Sequence, residues 1–372
     1  MVIHFFELQM THLSLDMIDA FSYYFSNKEQ GFYVCCQNES DLLFGSKEEE
    51  EAKYRKKFEE NNIANYRFIN GETDIISTVK KEVLNNNLCV LHGYFPLIGI
   101  YKSFGIRIDL LSKIVVVHWG GEQEINKNFK SFRMKLGFGR RCFCYSKFRC
   151  VVVLAESDKV SWNKNYGINN IVVNSYFSSP QNIDMRYNII ERQKKDKVKV
   201  MLAHSGHTYS NHIESLRLLK EKYDSVIEEV SCPLCYGPKD YIDEVIKIGQ
   251  ELFGKRFSYF TNLLSKEEYI EYIRSKDVYV TASNIQSGLF ALATALGNGL
   301  KVYCGQSNFD TYSFKGYTIY KHNDLFKKSK EDFVLPLTEQ DIIKNYEKLV
   351  DKENVAKIVS KWKEILFENI KF

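Results

Sequence analysis

Two turns in the second half of this 372-residue chain carry residue types that bind phosphate. The stretch from Lys197 to Tyr223 reads as an apolar strand (Val198, Val200, Met201, Leu202), a Ser205-Gly206 turn, a polar loop and an amphipathic helix. Ser210 or Asn211 is expected to cap that helix, whose buried stripe holds Ile213, Leu216 and Leu219. A glycine at such a turn lets an anion approach the backbone, and the free N–H groups of the first helical turn favour it. The second turn, Ser283–Gly288, also follows a strand and leads into a helix of small and apolar residues. Gln286 and Ser287 are expected to donate hydrogen bonds there, and Gly288 to permit close approach. Ligands of open parallel sheets gather at the carboxyl ends of the strands, so the two turns are expected to hold one diphosphate.

The first half offers groups that move protons. His92-Gly93 and His118-Trp-Gly-Gly-Glu122 each end an expected parallel strand. Deprotonating a sugar hydroxyl needs a carboxylate or an imidazole at such a place. Glu122, beside two glycines, is preferred over His118 and His92.

Other motifs fail on their context. Gly249–Lys255 has Walker A spacing, but Arg256 replaces the needed Ser or Thr and the strand and helix come in the wrong order. No dinucleotide fingerprint follows a strand. Cys232 and Cys235 do not open a helix of a redox unit, and the remaining cysteines lack the spacing of a zinc site. With no DxD triad, no metal and no cofactor is expected.

The elements that position these residues repeat a strand–helix rhythm. In the first half, strands are expected at Val2–Phe6, Phe32–Cys36, Tyr66–Ile69, Leu88–His92, Lys113–His118, Cys150–Ala155 and Asn170–Asn174. In the second, they are expected at Val198–Leu202, Ser225–Val230, Phe257–Phe260, Asp277–Ala282 and Lys301–Cys304. Their apolar runs are continuous rather than alternating, which indicates parallel sheets covered on both faces. The expected class is α/β: a Rossmann-like domain over residues 1–177, a linker over 178–196, a second such domain over 197–337, and terminal helices over 338–372 that pack back on the first domain. The two domains are expected to face a cleft.

Composition restricts the setting. Charged residues are 26% and hydrophobic ones 44%, as in a globular chain. No apolar run approaches the ~20 residues of a membrane span, the first residues read as a strand rather than a signal peptide, and nine cysteines suggest reduced thiols in the cytoplasm. The net charge of +4 is uneven: Lys127–Arg149 holds eight basic residues, among them Lys130, Arg133, Lys135, Arg140 and Arg141, and no acidic one. Six aromatic rings are interleaved with them. That mixture suits an anionic membrane surface or a phosphorylated lipid, and no nucleic-acid motif accompanies it.

His92-Gly93, HWGGE (His118–Glu122), the basic stretch, HSG…SNH (His204–His212), Pro233–Pro238, YIDEVIKIGQELFG (Tyr241–Gly254), LLSKEEYIEYIRSKDV (Leu263–Val278) and QSGLFALATALGNG (Gln286–Gly299) occur in that order. The order resembles the TDP-N-acetylfucosamine:lipid II N-acetylfucosaminyltransferases, glycosyltransferase family 56, over roughly residues 88–305. The resemblance implies a GT-B fold, metal-independent transfer from a TDP-, UDP- or GDP-linked sugar to a polyprenyl-diphosphate-linked saccharide, and a place on the cytoplasmic face of the inner membrane. The donor would lie against Ser205, Gly206, Asn211, His212, Pro233, Tyr236, Gly237, Ser283, Gln286, Ser287, Gly288 and Leu289. Departures are Glu122 where the family-like residue is Asp, and a first turn, Phe5–Ser14, without glycine. A nucleotide-sugar 2-epimerase and a non-catalytic sugar- or membrane-binding protein remain as alternatives.

Overall fold

The computed structural model describes residues 1–42, 45–93, 95–118, 131–283 and 285–368. The chain forms two compact units, residues 1–179 together with the C-terminal segment from Glu353, and Pro180–Lys352.

In the first unit, β1 (Val2–Glu7), β2 (Gln30–Cys36), β3 (Tyr66–Asn70), β4 (Leu88–His92), β5 (Ile114–Val117), β6 (Cys150–Val153) and β7 (Ile171–Val173) make one sheet. Its order is β3-β2-β1-β4-β5-β6-β7 and every pair is parallel. Every residue of β1, β2, β5 and β6 is buried, because helices cover both faces. The period of two sends Phe5, Tyr33, Leu91 and Val116 to one core and Phe6, Phe32 and Val90 to the other. The second core is completed by the last helix, Lys352–Phe367, which seats Trp362, Ile365 and Leu366 in it. The indole Nε1–H of Trp362 donates to the Ser175 carbonyl at 2.9 Å.

In the second unit, β8 (Val198–Leu202), β9 (Ile227–Pro233), β10 (Phe257–Phe260), β11 (Val278–Thr281), β12 (Lys301–Cys304) and β13 (Tyr320–Lys321) follow the order β10-β9-β8-β11-β12-β13, again all parallel. Both sheets therefore reverse their winding direction once, between β1 and β4 and between β8 and β11. Connections leave in opposite directions at such a point and open a crevice beyond the strand ends.

Three segments differ from the sequence expectation. Of the terminal helices only the last joins the first unit, and Glu339–Val350 belongs to the second. The strand expected at Ser225–Val230 begins after a 3-10 turn and runs on from Ile227 to Pro233. The stretch read as a linker carries the helix Pro180–Arg186 and is tied into the second unit by arginines. Arg192 donates to the carbonyls of Arg274, Lys276 and Asn298 at 2.9–3.2 Å. Arg186 donates to Thr294 Oγ1 at 2.8 Å and to the Phe290 carbonyl at 2.7 Å.

Candidate functional site

The crevice of the second unit is built by the loops beyond β8 and β11. Ala203, the residue after β8, is in the left-handed region (φ 58°), a conformation uncommon for alanine. The chain then passes Ser205 and Gly206, makes a 3-10 turn over Thr208–Ser210, and enters the helix His212–Tyr223 through Asn211, also left-handed (φ 50°). Neither Ser210 nor Asn211 caps the helix with its side chain; the Asn211 amide instead donates to the Ala282 carbonyl at 3.3 Å. Tyr241 Oη accepts from the His212 backbone N–H at 3.1 Å.

Gly206 has a different job from the one expected. A Cβ there would lie 2.4 Å from Ile242 Cγ1, and one on Gly237 would lie 2.2 Å from the Gly206 carbonyl oxygen. The Gly206 N–H donates to the Tyr236 carbonyl at 2.8 Å. The two glycines let the loop after β8 and the loop from Pro233 to Pro238 pack backbone against backbone. The bare face of Gly206 is already filled by protein.

Beyond β11, Gly288 is left-handed (φ 64°) and precedes the helix Leu289–Gly297. A Cβ on it would lie 2.4 Å from His204 Nδ1, so the two loops touch at this glycine and the imidazole lies against the start of the Leu289–Gly297 helix. Ser287 Oγ donates to Ser283 Oγ (2.8 Å), which donates to the Ile285 carbonyl (2.9 Å). Those two hydroxyls brace the loop. Asn308 holds the Ser287 carbonyl through its amide at 2.9 Å.

Several polar atoms around this crevice are buried without a hydrogen-bond partner. They are Ser205 Oγ, Ser210 Oγ, His212 Nε2, Asn308 Oδ1 and both amide atoms of Gln286. Proteins satisfy the great majority of buried polar atoms, because each orphan costs about 1–3 kcal/mol. A cluster of orphans at two helix starts on a topological switch point is what an anionic, hydrogen-bonding ligand would complete. A cavity of about 450 Å³ opens beside Thr208 and Asn211 and is lined by Glu214, Arg217 and Glu221. Two carboxylates against one guanidinium give it a net negative lining, which suits an anion less than the orphaned groups do.

In the first unit the expected proton carriers are placed differently. Glu122 and Lys130 lie outside the described residues. His92 is fully buried at the end of β4, with Nε2 3.0 Å from His4 Nδ1 and Nδ1 3.3 Å from Tyr176 Oη. His4 continues the chain to Gln30 Oε1 at 3.1 Å. Both imidazoles stack among Phe6, Phe21 and Phe32. His92 is thus a core residue and cannot reach a substrate hydroxyl, contrary to the sequence reading. His118 is 3% exposed and lies against Trp162 (centroids 4.2 Å) and Tyr145 (5.5 Å). The sequence reading misses a carboxylate: Glu7 ends β1 beside the reversal point, 3% exposed, with Oε2 accepting from the Gln9 amide at 2.7 Å. Its signal is a charged residue closing the apolar run VIHFF.

Burial lowers the His4 pKa to about 3 and pushes His92 well below its ordinary value. A histidine lowered on folding favours the native state above the unfolded pKa of about 6.5, and that advantage is lost as pH falls toward the folded value. Between about pH 7 and pH 5, His4 alone is expected to remove about 2 kcal/mol of stability, and His92 acts with the same sign. Urea midpoints followed by first-unit probes should drop over that range; a flat profile would contradict the buried, neutral pair.

The basic stretch forms the helix Phe132–Lys147, capped by Ser131. Cys144 and Tyr145 face the core, while Phe132 is 80% exposed and Met134 and Leu136 about half exposed. Arg133 and Lys135 are exposed and Arg141 half-buried; Arg140 lies over the Tyr101 ring at 5.4 Å. Among the described residues no helix is long and apolar enough to cross a membrane.

A family model described as "4-alpha-L-fucosyltransferase glycosyl transferase group 56" matches residues 63–311. Among solved structures, the trehalose-6-phosphate synthase OtsA is similar at 10% identity with a TM-score of 0.63, covering 100% of both chains. HepE from Anabaena, in complex with UDP-glucose, is similar at 12% identity and a TM-score of 0.61, over 98% of this chain and 99% of that one. A mutant of S. aureus TarM, in a complex that includes UDP, is similar at 14% identity and a TM-score of 0.51, over 78% of this chain and 58% of that one. The chain therefore spans little more than half the length of TarM. These likenesses show the fold, which is GT-B.

Proposed function

The chain belongs to the 4-alpha-L-fucosyltransferase family, glycosyl transferase group 56, and from that premise we propose that it moves a deoxyamino or fucose-like sugar from a nucleoside diphosphate to a polyprenyl-diphosphate-linked saccharide. The observation that carries this reading is the set of orphaned polar atoms between the ends of β8 and β11. The donor diphosphate lies across the starts of the helices His212–Tyr223 and Leu289–Gly297, facing Ser205, Asn211, His212 and Gln286. Negative charge grows on the leaving diphosphate as the glycosidic bond breaks, and two helix N-termini stabilise it without reorganising. Pro233, Tyr236, Gly237, Ser283, Ser287, Gly288 and Leu289 shape the wall around it.

The acceptor hydroxyl needs a base. Glu122 keeps that role in this proposal on its sequence context alone, with Glu7, at the end of β1, a described carboxylate beside the first sheet's reversal point. The exposed Phe132, Met134 and Leu136 beside Arg133, Lys135, Arg140 and Arg141 suit the headgroups of an anionic membrane or the acceptor's own diphosphate. That supports a peripheral place on the cytoplasmic face of the inner membrane, in the synthesis of a surface polysaccharide.

A thermal-shift screen against TDP, UDP, GDP and CMP tests the central claim: one of the four should raise the melting temperature, and a melting temperature unmoved by all of them removes the donor site. Sugar transfer that requires a lipid-linked acceptor supports the reaction, whereas epimerisation of the nucleotide sugar without acceptor points to an epimerase. Glu122→Gln is expected to lower transfer by about 100-fold or more with donor binding unchanged. Full transfer by this variant removes Glu122 as base.

A further inference from the structure

We propose that the donor diphosphate is held by a cluster of three histidines, His204, His207 and His212, which take up protons from solvent as the nucleotide sugar binds. This rests on the reading of the β8/β11 crevice as a nucleotide-sugar site and names the counter-charge of that site.

The loops beyond β8, β9, β11 and β12, residues 203–211, 234–238, 282–288 and 305–308, contain neither lysine nor arginine. A diphosphate bound there meets no fixed positive charge from the loops that form the crevice. On neighbouring elements Arg186 lies over Phe290 and bonds to Thr294, Lys321 lies over Phe309, and Arg217 lines the adjoining cavity together with Glu214 and Glu221. Within the four loops, only the histidines can supply positive charge.

Their placement fits the task. His204 follows the left-handed Ala203 and lies against Gly288, at the start of the Leu289–Gly297 helix. His212 opens the other helix, is fully buried, and keeps Nε2 without a protein partner. His207 is half-buried between them in sequence, stacked on Tyr209 (4.9 Å) and edge-on to Tyr236 (5.8 Å). The other titratable groups on these loops and beside them are the hydroxyls Tyr279 Oη, 3.5 Å from His204 Nδ1, Tyr241 Oη, 3.4 Å from His212 Nδ1, and those of Tyr209 and Tyr236, with the Cys235 thiol, which donates to the Asn262 carbonyl at 3.2 Å and whose pKa is raised by burial. Further along the same helix lie Glu214 and Arg217, and Ser215, which His322 of the 3-10 turn His322–Phe326 faces at 3.1 Å.

Without ligand the cluster is neutral. Burial first, and then the neighbouring histidines, hold His204 near 4 and His212 near 3, and burial lowers His207 as well. Two helix N-termini oppose a cation at the same place. A bound diphosphate reverses the sign: its negative charges favour the imidazolium, and each new N–H then donates to a phosphate oxygen. Both phosphates of a nucleotide sugar stay singly charged near neutral pH, so the protons exchanged are the protein's. By linkage, one proton taken up weakens binding about tenfold for each unit rise in pH.

Isothermal titration of the full chain with TDP-glucose, UDP-glucose and GDP-fucose, in two buffers of different ionisation heat, counts those protons. The expected result is binding of at least one of them with uptake of about half to one proton at pH 7, and a Kd about three- to tenfold weaker at pH 7.5 than at pH 6.5. His207→Gln, at a half-exposed position, should keep the fold and reduce the uptake. Binding with equal heats in both buffers and a level Kd overturns the histidine clamp and leaves the nucleotide-sugar reading standing. Unchanged uptake in His207→Gln overturns the three-histidine form of it. Failure of all three nucleotide sugars to bind overturns both.

Discussion

Gly288→Ala is expected to lower the kcat/KM of sugar transfer about 100-fold while the protein still folds. The left-handed backbone (φ 64°, ψ 30°) costs an alanine about 1 kcal/mol. The larger effect is steric, since the new Cβ would start 2.4 Å from Nδ1 and 2.6 Å from Cγ of His204. That ring cannot swing outward easily, being 9% exposed with Tyr279 Oη 3.5 Å from Nδ1. Either the imidazole tilts or the start of the Leu289–Gly297 helix retreats, and a displacement of about 1 Å at a site of charge development costs about 100-fold. Gly167→Ala is the matched control. Gly167 has nearly the same backbone (φ 66°, ψ 36°), no atom within 4 Å of the added Cβ, and a place in the first unit, outside the donor loops. It carries the conformational cost without the collision, so transfer should stay within about twofold of the parent. Equal losses in the two variants would assign the effect to backbone strain and remove the His204–Gly288 contact from the donor site.

That contact also shows what a sequence can and cannot disclose. Strands such as Ile114–Val117 and Cys150–Val153 are legible because a strand buried on both faces must be apolar at consecutive positions, and their parallel pairing is legible with them. The two strand–turn–helix junctions are legible because serine, glycine and a helix start recur together. Strand order is not, yet it decides which loops meet: β8 and β11 are neighbours although 75 residues separate His204 from Tyr279. Gly206 is misread for the same reason, since the side chain that fills its bare face, Ile242, comes from the helix after β9. His92 and His118 look free in the sequence because strand ends usually face solvent. Nothing local announces that His4 will bond the first or Trp162 cover the second. Glu7 escapes notice because the apolar run ends one residue before the strand does.

Trp362→Ala is expected to destabilise the first unit by about 3–5 kcal/mol, a large part of the roughly 5–15 kcal/mol that holds an ordinary domain together. The indole is fully buried, edge-on to Phe21 (5.3 Å), stacked on Tyr176 (6.0 Å) and 6.5 Å from the His92 ring. Its removal leaves a cavity against β1 and β4 residues and strips the Ser175 carbonyl of its donor. The helix that carries it is amphipathic but has a polar outer face, so most of its attachment comes from Trp362, Ile365 and Leu366. Hydrogen exchange separates the outcomes: amides of β1, β2 and β4 should lose protection, while those of β8 and β11 keep theirs. Trp362→Phe, which retains most of the apolar volume, should cost about 1–2 kcal/mol, less than the alanine variant. Uniform loss of protection in both units would mean that they unfold as one body, and unchanged protection would mean that the last helix only rests on the first unit. The expected pattern, loss confined to the first sheet, arises from a core that stays open until the final turns of the chain close it.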